Sequence, residues 1–323
     1  MKPFESFFSK QMDSFAQYRN RLGYNKRNTR LQLMMFDRYL SNQPDHSVWE
    51  PAYYLKMRKE LEMTPSSVNT VLYTARCFFE YLKRTGECER NPLQDVPSLP
   101  LQAFIPFVFS PEQVSQFLDT ICRHIRKDSK FFLIDLSKYL VILLLARCGM
   151  RINEPLRLRL EHYRTDDKTV YIEKTKFKKD RLIPIPITVA EQIDNYLSAR
   201  ASLTDNIPNP YLFIGYGKKG LHDHNIRKVF HKALNRIGIS RPRQVIGNTI
   251  FGKPTPHSLR HSFAVNTLKA IVARGQSPQN ALPVLAAYLG HVEYRNTMKY
   301  LKVIDAKSGQ RLLNFAGSRR EDS

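Results

Sequence analysis

Residues 136–155 read LSKYLVILLLARCGMRINEP. Within this stretch Tyr139–Ala146 is the longest unbroken apolar run of the chain, at eight residues. That is under half of the ~18 a membrane span requires. A short run apolar on every side belongs inside a protein core, and it predicts a buried helix over Leu136–Cys148. Gly149 supplies the residue that closes such a helix. Asn153 can then cap a new helix whose first turn holds Glu154 and Pro155. Arg151 is thereby fixed on a tight turn between two helices. Its bland role would be to complement the dipole of the helix it follows.

Upstream the pattern is helical throughout. Asn28–Leu40 spaces its apolar residues by three and four, and Thr64-Pro65 is a cap and first helical residue for a segment ending near Gly86. In that segment Val68, Val71, Leu72, Ala75, Phe78, Phe79 and Leu82 keep the helical period. Pro92, Pro97, Pro100 and Pro106 break any continuous helix and mark a linker, with a boundary at 100–108. Downstream, Ser110-Pro111-Glu112-Gln113 is a capping box. Val170–Ile172 and Leu182–Ile185 are two β-type runs that predict a hairpin with a long tip. Helices are expected again over Ala190–Ala199, Asn225–Ile237, Ser258–Ala273, Gln279–Leu289 and Asn296–Ile304. The expected fold class is mainly α with a small β-sheet. It divides into an all-helical domain over 1–105 and a mixed, mainly helical domain over 106–323.

The chain has 323 residues, enough for two domains of ordinary size. Its 42% hydrophobic and 25% charged shares exclude disorder over most of the length. The opening MKPFESFFSKQMD contains Glu5 and no apolar core, so no secretory leader is expected. Cys77, Cys88, Cys122 and Cys148 form no paired motif and read as thiols of a reducing cytoplasm. Charge is more informative. There are 51 Lys and Arg against 29 Asp and Glu, a net +22, which points to a polyanion and foremost to nucleic acid. Residues 1–105 hold 15 basic and 11 acidic side chains, which leaves 36 and 18 for the remainder. The second part therefore meets the polyanion most strongly.

Four segments hold polar residues that a purely structural reading leaves unexplained. Arg151 on its turn is the first. The second is the hairpin tip, Lys174-Thr175-Lys176-Phe177-Lys178-Lys179-Asp180-Arg181, with five cations in eight residues. A two-stranded ribbon of that kind can enter a DNA groove. In the third, His257-Ser258-Leu259-Arg260-His261, the first histidine and the arginine share a helical face. An imidazole beside a guanidinium suits proton transfer next to a gripped anion. The fourth is Leu289-Gly290-His291, with Tyr300 nine residues after the histidine. His222-Asp223-His224 is too small a group for a metal site, and no Gly-rich phosphate loop is present. Neither a metal nor another cofactor is expected.

Taken in order, GMRINE, KFKKDRLIPI, HSLRHSFA and LGH followed by Tyr300 resemble the active-site boxes of the tyrosine recombinase (phage integrase) family. The likeness extends over essentially the whole chain, because the helical front resembles that family's core-binding domain. The resemblance implies a C-shaped clamp around DNA, with 1–105 as core-binding domain and 106–323 as catalytic domain. It implies Arg151 and Arg260 as the clamp on the scissile phosphate, Tyr300 as nucleophile, His257 as its base and His291 as a donor to the phosphate. Glu154 would orient a neighbour. Lys176, five residues before Arg181, matches the general acid, with Lys174 and Lys178 as alternatives. Lys174, Lys178, Lys179 and Arg181 are expected DNA contacts.

The implied activity is site-specific recombination through a 3′-phosphotyrosyl intermediate and a Holliday junction. Such an enzyme would serve a transposon, plasmid, phage or chromosome resolution system. Partners would be double-stranded DNA with a short inverted-repeat core site, three further copies in a synaptic tetramer, and an accessory DNA-binding protein in some systems. No membrane is expected, and the location would be the cytoplasm, on the nucleoid of a prokaryotic-type cell. Leu312, Leu313 and Phe315, beyond Ser308-Gly309, would be the terminal segment that copies exchange. A type IB topoisomerase and a non-catalytic DNA-binding protein are the competing readings. The front domain speaks against the first and the intact set of boxes against the second.

Overall fold

The structure, a computed structural model, describes residues 2–42, 46–173, 180–204, 209–217, 219–291 and 293–301. The hairpin tip with Lys174, Lys176, Lys178 and Lys179, and the terminal segment with Leu312, Leu313 and Phe315, lie outside the described residues. The fold is mainly α-helical with two small three-stranded sheets. It forms two compact units that divide between Ala103 and Phe104.

The first unit contains α1 (Ser9–Arg21), α2 (Lys26–Asn42), a 3-10 turn at His46–Trp49, α3 (Pro51–Glu60) and α4 (Pro65–Arg84). The start of α4 follows from its sequence. The Thr64 hydroxyl accepts from the Ser67 amide, and Pro65 occupies the first helical position, where no amide donor is needed. The seven apolar positions read for this helix are all buried. They pack in an aromatic core where Phe78 and Phe79 meet Phe8, Phe36 and Tyr54, mostly edge to face. The proline-rich stretch after α4 is pinned back on it. Arg76 donates to the carbonyls of Leu93 and Val96, and Asn69 exchanges two hydrogen bonds with Leu99.

The division falls within β1 (Ala103–Ile105), and the second unit continues with α5 (Pro111–Arg123), whose capping box is formed in both directions between Ser110 and Gln113. Its centre is α6 (Ser129–Arg147), buried from Tyr139 to Ala146. This helix starts seven residues before the predicted Leu136, because Asp128 caps the amide of Lys130. Beyond it Gly149 has φ +59°, and an added Cβ would lie 2.5 Å from the Phe263 ring and 2.9 Å from Leu289.

The helix expected after Asn153 does not form. Only a 3-10 turn, Pro155–Arg157, follows, with Glu154 in the cap position and Asn153 exposed. The Glu154 carboxylate turns back to the Arg151 amide, and the chain leaves the turn extended at Leu158.

The hairpin pairs β3 (Thr169–Ile172) with β4 (Arg181–Pro184), Val170 opposite Ile183, and a third strand β2 (Tyr163–Arg164) joins β3. Next come α7 (Ile187–Leu203) and α8 (Asp223–Arg236). The segment before the His-x-x-Arg box forms a second hairpin, β5 (Gln244–Ile246) and β6 (Thr249–Phe251), with β6 between β1 and β5. Two helices follow, α9 (Pro256–Ala273) and α10 (Pro278–Leu289), and residues 295–301 are helical. The central α6 packs on α5, α7, α8 and α9, which sets its C-terminal turn beside the start of α9. Among the described residues no helix is long and apolar enough to cross a membrane.

Candidate active site

The C-terminal end of α10 organises the site. Its last turn leaves carbonyls without intrahelical partners and carries the negative end of the helix dipole. Three consecutive carbonyls there each accept from a different arginine. Tyr288 accepts from Arg181 Nε at 3.0 Å, Leu289 from Arg260 Nη2 at 2.6 Å, and Gly290 from Arg151 Nη2 at 2.9 Å. Arg260 also reaches the carbonyl of Gly149 at 2.8 Å, so it joins the ends of α6 and α10. Residues far apart in sequence, 151 and 260, thus meet on one helix terminus.

Glu154 holds this arrangement from the other side. Its carboxylate accepts from Arg151 Nη1 at 2.9 Å and from both terminal nitrogens of Arg181, at 3.2 and 2.9 Å. Burial alone would raise its pKa, but the Arg181 guanidinium outweighs burial and holds it below the ordinary value. Arg181 is among the residues expected to contact DNA. Its side chain is 10% exposed and faces Glu154. The strand that begins with it is thereby fixed to the Arg151 turn. A Cβ on Gly290, in the left-handed region at φ +66°, would lie 2.8 Å from the same guanidinium.

Arg260 is 1% exposed, and its Nε has no hydrogen-bond partner among the described residues. Burial, then the neighbouring charge of Arg151, lowers its pKa. A buried guanidinium short of one acceptor, beside a second and partly exposed one, is a cationic pocket that an anion would relieve.

Three imidazoles surround it. His257 and His261, one helical turn apart on α9, stand edge to face with ring centres 4.5 Å apart. The His291 ring stacks on Tyr300 at 6.2 Å, and its Nδ1 meets the Thr297 hydroxyl at 2.8 Å. Burial, then the charges of Arg260 and Arg151, pushes His257 down to about 4 and His291 down to about 3. Burial and then His257 push His261 to about 3. All three are neutral near pH 7.

Tyr300 is 4% exposed. Burial raises its pKa, and the adjacent Arg260 and Arg151 work against that rise. The ring nitrogen at its hydroxyl is Nδ1 of His261, at 3.2 Å, rather than one of His257.

The described residues therefore bring together Arg151, Glu154, Arg181, His257, Arg260, His291 and Tyr300. His261 and Thr297 were not singled out from the sequence. The signal for His261 was its position four residues after His257, on the same helical face, and Thr297 precedes Tyr300 by one turn. Among the described residues no group of His, Cys, Asp and Glu could hold a metal ion.

The sequence profile of the phage integrase family matches residues 108–307. The chain belongs to the phage integrase family. This integrase-family protein is a tyrosine-type site-specific DNA recombinase, an enzyme that acts on DNA strands. It is 26% identical over 295 residues to the tyrosine recombinase XerA of Pyrococcus furiosus, covering 91% of this chain and 90% of that one. To a tyrosine recombinase of Pseudothermotoga lettingae it is 26% identical over 254 residues, 78% of this chain and 76% of the relative. Among solved structures, the XerH site-specific recombinase bound to its difH substrate superposes with a TM-score of 0.66. The identity there is 18%, over 93% of this chain and 83% of that one. The integrase-family chain shares its fold with the XerH structure.

Proposed function

We propose that Tyr300 is the nucleophile of this recombinase, and that Arg151 and Arg260 hold the scissile phosphate it attacks. The observation that carries this reading is the placement of the Tyr300 hydroxyl beside a buried guanidinium that still lacks one acceptor. A phosphodiester attacked in line gathers charge on its non-bridging oxygens. Donors already fixed by helix-end carbonyls stabilise that charge without reorganising. Glu154 and Arg181 keep Arg151 aimed. The Thr297 hydroxyl occupies Nδ1 of His291 and leaves Nε2 as the nitrogen to face the phosphate. The departing 5′-oxygen takes its proton from a lysine of the hairpin tip, Lys176 in this reading. The bond energy is kept in a 3′-phosphotyrosyl link, so rejoining requires no nucleotide.

Residues 1–105 act as the core-binding domain on double-stranded DNA. The exchange runs between two inverted-repeat core sites, through a Holliday junction, in a tetramer joined by the terminal segment. A transposon, plasmid, phage or chromosome resolution system in the cytoplasm of a prokaryotic-type cell is the setting that this reading fits, with an accessory DNA-binding protein where the site requires one.

The test uses a duplex that the protein itself selects from a random-sequence pool, nicked so that the cut 5′ end diffuses away. Wild-type protein should be trapped on the 3′-phosphate in a link that survives denaturation. Tyr300→Phe should bind the duplex with unchanged affinity and form no adduct. An adduct that persists in Tyr300→Phe overturns the assignment of the nucleophile.

A further inference from the structure

We infer that His261, one residue after the second phosphate arginine, is the group that takes the Tyr300 proton as the nucleophile attacks. The inference rests on the reading of Tyr300 as nucleophile and adds the destination of its proton. Geometry carries it. The Tyr300 hydroxyl lies 3.2 Å from Nδ1 of His261, which accepts its hydrogen when the ring proton is on Nε2. The two rings lie 5.7 Å apart between centres and are steeply inclined, at 62°. His261 is anchored on the second turn of α9 and Tyr300 is buried against the same helix, in a cluster with Ala264, Val265 and Leu268. The pair is held by packing on both sides.

Burial, and then the charges of His257, Arg260, His291 and Lys299, keep His261 neutral, and in its Nε2–H tautomer Nδ1 has a lone pair to offer. An anionic phosphate between Arg151 and Arg260 offsets that cationic field and makes proton uptake easier at the moment it is needed. The step then balances. The Oη–P bond forms as the P–O5′ bond breaks, the tyrosine proton moves to Nδ1, and the 5′-oxygen is protonated by the hairpin lysine. In rejoining, the imidazolium returns its proton to the departing tyrosine oxygen.

The test follows single-turnover cleavage of the selected, nicked duplex. His261→Ala removes the ring. His261→Asn places an amide oxygen near the position of Nδ1, which accepts a hydrogen bond but takes up no proton. Both variants should bind the duplex as wild type does and cleave it about 10²–10⁴-fold more slowly, the usual range for a lost general base. Added imidazole should recover part of the His261→Ala rate. Wild-type cleavage by His261→Asn, or imidazole recovery in His257→Ala but not in His261→Ala, overturns the inference. Failure of the underlying reading looks different: wild-type protein would form no adduct, or Tyr300→Phe would still form one.

Discussion

Arg260, proposed to hold the scissile phosphate, also serves the fold. It supplies the donors for two helix-end carbonyls, Gly149 and Leu289, in a place from which water is excluded. Arg260→Ala should therefore destabilise the protein by about 1–3 kcal/mol for each orphaned carbonyl, as well as abolishing cleavage. Urea unfolding of the variant checks the first part, and adduct formation checks the second. Tyr300→Phe, which removes one hydroxyl, should lose cleavage and leave the unfolding midpoint nearly unchanged.

The imidazoles make a separate prediction. His257, His261 and His291 are all depressed from 6.5, to between about 3 and 4. Below pH 6.5 the unfolded chain therefore binds protons that the folded chain refuses. The stability held in the neutral rings is complete above pH 6.5 and falls as the pH drops toward 4. The unfolding midpoint measured against pH should fall through this window, and a flat profile there would contradict the burial of these rings. At this scale much was legible. His-x-x-Arg spacing places two side chains on one face wherever a helix forms. The ring that meets Tyr300 was not legible, because that depends on how residues 295–301 pack on α9. The partner of Arg181 was not legible for a related reason. Its neighbours on the hairpin suggested a solvated cation, whereas the carboxylate that claims it is 27 residues away.

Elements tell the same story through their ends. Caps are local chemistry, so Thr64, Ser110 and Gly149 announced their helix termini in the sequence. Gly149→Ala is the sharpest test of this kind. The substitution forces a side chain into the left-handed region and against Phe263 and Leu289, at a cost of about 2–4 kcal/mol. It should also slow cleavage, because the Gly149 carbonyl is one of the two that hold Arg260. Thermal unfolding and single-turnover rates measure both effects. The pieces missed lack local signals of that strength. The strand β2 is two residues long, and the hairpin β5–β6 is defined by its pairing with β1, more than 140 residues earlier. The absent helix after Asn153 was lost to a tertiary contact, since Glu154 is drawn back onto two arginines.

Over the whole molecule, charge governs the encounter with DNA. Each phosphate neutralised by Lys or Arg releases counterions, and affinity falls with a log–log slope of about −0.9 per contact. A chain of net +22 making roughly 6–10 such contacts should lose about 10³–10⁵-fold in affinity between 50 and 200 mM salt. A titration of binding against salt that stays flat would contradict the assignment of the basic excess to the DNA backbone.

The end of α10 also governs when a cutting activity can exist. Arg151, Arg181 and Arg260 are made before or apart from the carbonyls that aim them, and those carbonyls come from residues 288–290. During synthesis, a ribosome exposes the first arginine more than 130 residues ahead of its anchor. A half-made copy can touch DNA through its basic surface, yet it has no aimed pair of guanidiniums and no Tyr300. A chain that stops before residue 288 lacks the carbonyls that aim its arginines, so the chemistry proposed for Tyr300 waits until synthesis is nearly complete.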